Sequence, residues 1–111
     1  MQTTLNIGLN IGDGTRKVAP AVAMAALALA GAAVLRHTIA QSATEVTLIA
    51  ELAEPLPRET LHAISVVLEQ DCIAQRHADG AGELIGPRAA EWGEFNPAYF
   101  LGFPAEEQRA A

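Results

Sequence analysis

The aromatic side chains of this 111-residue chain all lie in its C-terminal third, and they are the residues best suited to recognition chemistry. The rings are Trp92, Phe95, Tyr99, Phe100 and Phe103. Large rings bury the most apolar area per residue and anchor both cores and interfaces. The segment that carries them therefore either closes a hydrophobic core or presents a binding surface.

Polar residues extend this aromatic segment into a candidate binding site. Arginine pairs with anionic groups, while an aromatic ring stacks on a flat one, and Arg88 precedes the first ring. A strand face near the N-terminus adds amide groups from Asn6 and Asn10. The pattern predicts a pocket for a small anionic, nucleotide-like ligand or a surface for a partner protein; otherwise the rings only cover the sheet. The candidate residues are Asn6, Asn10, Arg88, Trp92, Phe95, Tyr99 and Phe100.

Three glycines suggest a phosphate-binding loop, but their spacing does not fit one. Gly80, Gly82 and Gly86 read G-x-G-x-x-x-G, and Pro87 follows them rather than a long helix. Neither the dinucleotide fingerprint nor the P-loop pattern is met. Because Asp79-Gly80 is a hairpin signal, we interpret these glycines as hairpin geometry, with Gly82 allowing another group to approach closely.

Residues capable of nucleophilic, acid–base or metal chemistry form no recognisable constellation. His37, His62 and His77 are far apart in the chain and lack the spacing of metal ligands. Asp71 precedes Cys72, and its negative charge opposes formation of a thiolate, so we expect a buried structural thiol. The sequence therefore predicts no catalytic residue, no metal and no cofactor.

Apolar periodicity divides the chain into strands and helices that would position these residues. Residues 4–12 alternate apolar with polar side chains, which indicates a strand buried on one side. The alanine-rich stretch 19–33 predicts a buried helix rather than a signal peptide, because a patterned strand precedes it. Two strands at 34–42 and 44–54, an amphipathic helix at 58–70 and a strand at 71–77 follow.

This βαββαβ order resembles the ferredoxin-like fold, in which four antiparallel strands carry two helices on one face. The resemblance is one of element order and covers residues 4–77. Beyond it, 72–78 and 81–86 are expected to pair as a β-hairpin, followed by short helical turns beginning at Pro87 and Pro97. We predict a single α+β domain over 1–111, a two-layer sandwich with a C-terminal extension. Its parts are a core at about 4–77, an aromatic extension at 78–104 and a frayed tail at 105–111.

Composition limits the classes of function. The net charge of −6 and scattered basic residues argue against direct binding to a nucleic-acid backbone. A lone cysteine cannot form an intramolecular disulfide, so we expect a cytoplasmic protein, and we expect no contact with a membrane. Six arginines against one lysine, with abundant alanine, point to a bacterial or phage source.

These observations predict a non-catalytic, acidic binding protein, of the inhibitor or sequestering type, that recognises its partner or ligand through the aromatic segment. We also expect a homo-oligomer, because the free face of the first strand carries Asn and Gly rather than charges. Two alternatives stay open. One is a small dimeric α+β enzyme using His37, Arg36 and Glu51 on adjacent strands, and the other is a regulatory module that binds a small molecule.

Overall fold

The computed structural model describes residues 3–11 and 16–96, which form an α+β structure with a five-stranded antiparallel sheet and three helices. The predicted strands and helices up to residue 93 are confirmed, most of them a few residues shorter than expected, except that the strand predicted at 4–12 is divided into two strands in different sheets. Their bounds are β1 Thr3–Gly8, β2 Asn10–Ile11, β3 Arg16–Lys17, α1 Pro20–Leu29, β4 Val34–Gln41, β5 Val46–Leu52, α2 Arg58–Val67, β6 Ile73–Arg76, β7 Gly82–Ile85 and α3 Ala89–Trp92.

The strands of the main sheet lie in the order β4-β5-β1-β6-β7, and each neighbouring pair is antiparallel. β1 is central, with Asn6 opposite Ile49 on one side and Ala74 on the other. The predicted strand at 4–12 is interrupted at Leu9, whose N–H donates to Val46 O at 2.8 Å while its carbonyl accepts from Val18 N at 2.7 Å. Beyond Leu9 the chain leaves the sheet, and β2 pairs with β3 in a separate short ribbon.

The hydrophobic core lies between one face of the sheet and the two long helices. Alternation along β1 and β5 sends every second side chain into it, and both helices contribute to the same cluster. Burying such a side chain stabilises the fold by about 1.5 to 3 kcal/mol. The fully buried members are Leu5, Ile7, Leu9, Ala23, Leu27, Leu48, Ala50, Leu52, Leu61 and Ile73.

Helix α1 is only partly covered, although the sequence predicted a buried helix. No charged residue occurs from Val18 to Leu35, and Ala23 and Leu27 are the helix positions that are buried. Leu29 is 90% exposed and Val22 is 53% exposed. Within the described part of the chain, no helix is long and apolar enough to cross a membrane.

A buried polar contact joins the loop before α2 to the sheet. Gln75 of β6 points into the core and is only 1% exposed. Its side chain accepts a hydrogen bond from Leu56 N at 2.9 Å and donates one to Leu56 O at 3.1 Å. These two hydrogen bonds satisfy the N–H and the carbonyl of Leu56, just before the chain enters α2. The strand pattern in the sequence did not predict them.

The predicted hairpin is confirmed, because β6 and β7 pair directly and the turn between them contains Gly80 at φ +93°. Each glycine considered for a phosphate loop has a conformational or packing role instead. A Cβ atom at Gly86 would lie 2.5 Å from Asp71 O and 2.6 Å from Cys72 Cα. The short helix predicted after Pro87 is α3, which ends at Gly93 (φ +81°). The second turn, beginning at Pro97, and the tail lie outside the described residues.

Candidate ligand-binding cavity

A cavity of about 470 Å³ lies on the face of the sheet opposite α1 and α2. Its floor is the polar face of β1 and the start of β5, and its walls are the segment 69–72 and helix α3. Cavities of this size are typical of small-molecule sites. The described residues that line it are Asn6, Gly8, Asn10, Glu45, Val46, Thr47, Glu69, Gln70, Asp71, Cys72, Arg88 and Trp92.

Four of the seven residues proposed from the sequence line this cavity: Asn6, Asn10, Arg88 and Trp92. They come from opposite ends of the chain, so the fold brings the N-terminal strand and the aromatic segment together. Trp92 is half-exposed at 50%, unlike the core residues. Tyr99 and Phe100 lie outside the described residues, and their role in binding stays a prediction.

Phe95 is not among the described residues of the cavity wall. A Cβ atom on Gly82 would lie 2.4 to 2.6 Å from three atoms of the Phe95 ring, so the ring lies directly on the backbone of β7. The close approach expected at Gly82 is therefore confirmed, and the approaching group is Phe95. This contact gives Phe95 a packing role on the sheet, and Trp92 is the ring among residues 3–11 and 16–96 that borders the cavity.

Asn10 shapes the rim of the cavity through the main chain. Its Nδ2 donates to Thr44 O at 2.8 Å, and its Oδ1 accepts from Val46 N at 3.2 Å. Gln70, which the sequence did not single out, donates to Asn10 O at 3.1 Å. The Asn10 amide thus fastens the start of β2 to the start of β5, and both of its hydrogen bonds go to the backbone rather than to a ligand.

Arg88 is already paired within its own helix. Its Nε and Nη2 donate to the two carboxylate oxygens of Glu91 at 2.8 and 2.9 Å. These hydrogen bonds raise the pKa of Arg88 and lower that of Glu91. The backbone N–H of Arg88 also donates to Asp71 O at 2.9 Å, which attaches α3 to the strand β6 side of the cavity. Arg88 therefore helps to build the cavity wall, and its guanidinium is already paired with the Glu91 carboxylate.

The cavity lining is negatively charged. Among the described residues it carries three carboxylates, Glu45, Glu69 and Asp71, against the single guanidinium of Arg88, a formal balance of −2. Glu69 has an ion pair with Arg16 at 3.4 Å, but both side chains are exposed. Adding Arg16 and Glu91 to the sum leaves the balance at −2. Electrostatic repulsion therefore disfavours the small anionic ligand that Arg88 suggested in the sequence.

Cys72 lines the cavity as a poor nucleophile. Burial and the neighbouring charge of Asp71 raise the pKa of its thiol to about 11. At neutral pH the thiolate is scarce, and the thiolate is the form that attacks. Within residues 3–11 and 16–96, no three His, Cys, Asp or Glu side chains come together as metal ligands.

The residues of the enzyme alternative do not converge. Arg36 and Glu51 face each other across β4 and β5 and form an ion pair. His37 lies opposite Ala50, so it projects from the other face of the sheet, where it is exposed. No hydrogen bond joins His37 to a carboxylate in the described part of the chain, which counts against a shared acid–base site.

The fold and the cavity define an α+β protein with an acidic, tryptophan-walled cavity on one face of its sheet. Compared with protein-family models, curated proteins and solved structures, the chain gives no significant match.

Proposed function

We propose that this chain is a non-catalytic binding protein that holds a small ligand in the cavity between the sheet and α3. The observation that carries the proposal is the half-exposed indole of Trp92 on the wall of a cavity of about 470 Å³. An indole left half in water has apolar area to gain from a ligand. Binding without turnover is the chemistry of an inhibitor or a sequestering protein.

The cavity is built to be rigid rather than reactive. Hydrogen bonds of Asn10 and Gln70 fasten the start of β2 to β5 and to the segment before β6, and Arg88 N donates to Asp71 O, which holds the start of α3. A preformed cavity loses little conformational freedom when a ligand enters, which favours affinity. No histidine lines it among the described residues, and the thiol of Cys72 is held protonated at neutral pH.

Two unique residues make this proposal directly measurable. The chain contains one tryptophan and one cysteine, and Trp92 and Cys72 both line the cavity. Native mass spectrometry of the purified protein should reveal a retained small molecule. Adding that molecule back to stripped protein should shift the Trp92 emission and slow alkylation of Cys72 by iodoacetamide at pH 9. With a pKa of about 11, about one thiol in a hundred is ionised at that pH, enough for a slow and measurable reaction.

Substitutions at Trp92 distinguish a ligand platform from a packing residue. We expect Trp92→Ala to weaken binding by about tenfold, and Trp92→Phe to retain most of it, because an aromatic contact contributes about 0.5 to 1.5 kcal/mol beyond area burial. Circular dichroism and thermal unfolding check that both variants fold. A ligand that binds without protecting Cys72, and with equal affinity for Trp92→Ala, would place the binding site elsewhere and refute the proposal.

We also propose that the protein is a homo-oligomer, through a surface different from the one the sequence suggested. The polar face of β1 is the floor of the cavity, and Thr4 and Asn6 on it are already buried. β4 is instead an eight-residue edge strand without proline, paired in the described residues with β5 alone, and Leu35 on it is 54% exposed. In a homo-oligomer, a second copy would cover the free edge of β4 and the exposed apolar face of α1 with the same surfaces of its own.

The oligomer is tested by light scattering coupled to size-exclusion chromatography. We expect the unmodified chain to elute with at least twice the monomer mass, and Leu29→Glu to elute as a monomer, because a charge on the exposed face of α1 opposes its burial. Glu59→Gln, a change on α2 outside this surface, is the control. A wild-type chain that stays monomeric at high concentration would remove the proposal.

We further propose that the sheet is a ferredoxin-like βαββαβ unit extended at one edge by β7. Support comes from the central position of β1 between β5 and β6, and from the contribution of α1 and α2 to one core cluster. An experimental structure that placed β4 next to β1 would contradict this assignment. The cytoplasmic location stays a prediction from the lone cysteine.

A further inference from the structure

Building on the binding role proposed above, we infer that the ligand is a small organic cation. Its charged nitrogen lies among Glu45, Glu69 and Asp71, and its flat body stacks on Trp92. The inference depends on where the carboxylates lie in the fold, on the state of the lining arginine, and on the exposure of the indole.

The three carboxylates gather at one end of β1. Glu45 immediately precedes β5, and Asp71 lies two residues before β6, the two strands that flank β1. Both carboxylates are therefore placed beside the end of β1, where Gly8 lies opposite Thr47. Glu69 is on the same rim and joins the same cavity. Charges that are separated in the sequence thus line the same cavity near one end of β1.

The positive groups described at the cavity offset this charge only in part, because Arg88 is one guanidinium against three carboxylates. Glu45 and Asp71 form no ion pair among the described residues, and the pair between Glu69 and Arg16 is long and exposed. Arg88 donates hydrogen bonds from Nε and Nη2 to Glu91, which is not one of the three carboxylates that line the cavity. A positively charged group entering the cavity would gain Coulomb energy from Glu45 and Asp71 without breaking a described ion pair, and at Glu69 it would compete only with the exposed Arg16, whereas an anion would be repelled.

The side chain of Gln70 lies close over Gly8 on the floor of the cavity. A Cβ atom at Gly8 would lie 3.0 Å from Oε1 of Gln70, so a larger residue would press on the amide that fastens the rim. The floor is uncharged, with Asn6 and Thr47 presenting short polar groups. The indole of Trp92 borders the same space, and an aromatic face attracts both flat rings and cations. A cation with a flat apolar body therefore satisfies the carboxylates and the indole together.

Three probes of one carbon skeleton test the charge class: 2-phenylethylammonium, the neutral 2-phenylethanol and the anion phenylacetate. Binding is measured by isothermal titration calorimetry and by Trp92 emission in a low-salt buffer at neutral pH. We expect the ammonium probe to bind at least about tenfold more tightly than the alcohol, and the anion to bind most weakly. Raising the salt concentration should weaken the ammonium probe and leave the alcohol unchanged.

Charge-removing variants tie the effect to the named residues. The double variant Glu45→Gln, Asp71→Asn should reduce affinity for 2-phenylethylammonium by about tenfold and leave affinity for 2-phenylethanol unchanged. Glu54→Gln, an exposed residue that does not line the cavity, is the matched control and should bind all three probes like the unmodified protein.

Several results would overturn the inference. Equal binding of the alcohol and the ammonium probe, preferential binding of phenylacetate, or loss of binding in Glu54→Gln to the same extent as in the double variant would each refute it. Failure of all three probes to bind would also refute the cation class. The proposed binding role is tested separately. It stands or falls on whether native mass spectrometry finds a retained molecule that protects Cys72 from alkylation.

Discussion

Gly86→Ala is expected to lower the free energy of unfolding by about 3 kcal/mol, near the upper end of the range for overpacked sites. The added methyl group would lie 2.5 Å from Asp71 O and 2.6 Å from Cys72 Cα. Both are backbone atoms in the segment just before β6, so no flexible side chain can move aside. The strand pair β6–β7 must separate locally to make room, and its packing is lost with it.

Equilibrium unfolding in urea, followed by circular dichroism, measures this loss. Gly31→Ala is the matched control, because Gly31 has φ +80° but a Cβ atom there would meet nothing within 4 Å. That control isolates the cost of a left-handed backbone, about 1 to 2 kcal/mol for a residue with a side chain. If Gly86→Ala is no less stable than Gly31→Ala, then the close packing of β7 against residues 71 and 72 is wrong.

The same substitution should also weaken ligand binding in the fraction that folds. Gly86 lies at the end of β7, and the chain from there leads directly to Arg88, whose N–H donates to Asp71 O. Moving residues 71 and 72 away from Gly86 therefore shifts the attachment of α3 and the position of Trp92. We therefore expect the cavity to be sensitive to substitution of Gly86, although Gly86 is not among its lining residues.

Local patterns in the sequence predicted the elements well but missed their interruptions. The alternation of Leu5, Ile7, Leu9 and Ile11 is regular, so a single strand was expected. The break at Leu9 comes instead from contacts with Val46 and Val18, and from the bond between Asn10 and Thr44, which is 34 residues away. A period-two pattern reports which face is buried and carries no information about where the partner strand ends.

The candidate site was predicted in outline because aromatic residues are few and clustered. Composition placed Trp92 and Phe95 in one segment but could not show that the two rings have different surroundings. The fold does so, since Phe95 lies on Gly82 while Trp92 borders the cavity. The separation depends on how the chain turns after α3, at Gly93, which has φ +81°.

The acidic rim was missed for a different reason. Glu45 and Asp71 are 26 positions apart and have no motif in common. A signal was available, because each lies just before a predicted strand, and those two strands flank β1 in the ferredoxin-like order. Reading charges at strand ends against an expected sheet order would have placed both carboxylates at one edge. Arg88 looks like an anion ligand in the sequence, but its i,i+3 spacing from Glu91 also predicts the ion pair that the structure shows.

Gln75→Leu is expected to destabilise the protein by about 2 to 4 kcal/mol, although leucine has a similar size and belongs in an apolar core. The change removes the acceptor for Leu56 N and the donor for Leu56 O together. Leu56 is itself buried, so water cannot replace both bonds, and each unsatisfied buried polar group costs about 1 to 3 kcal/mol. The gain from burying a more apolar side chain offsets only part of this loss.

Urea unfolding of Gln75→Leu should be compared with Gln41→Leu, the same substitution at an exposed position near the end of β4. An exposed substitution of this kind usually changes stability by no more than about 0.5 kcal/mol. Hydrogen exchange gives a second readout, since the Leu56 amide should lose protection in Gln75→Leu and keep it in Gln41→Leu. Equal stability of the two variants, with Leu56 still protected, would mean that the loop before α2 is held by contacts other than Gln75. Gln75 would then be a polar residue that the core tolerates, and it would not fix where α2 begins.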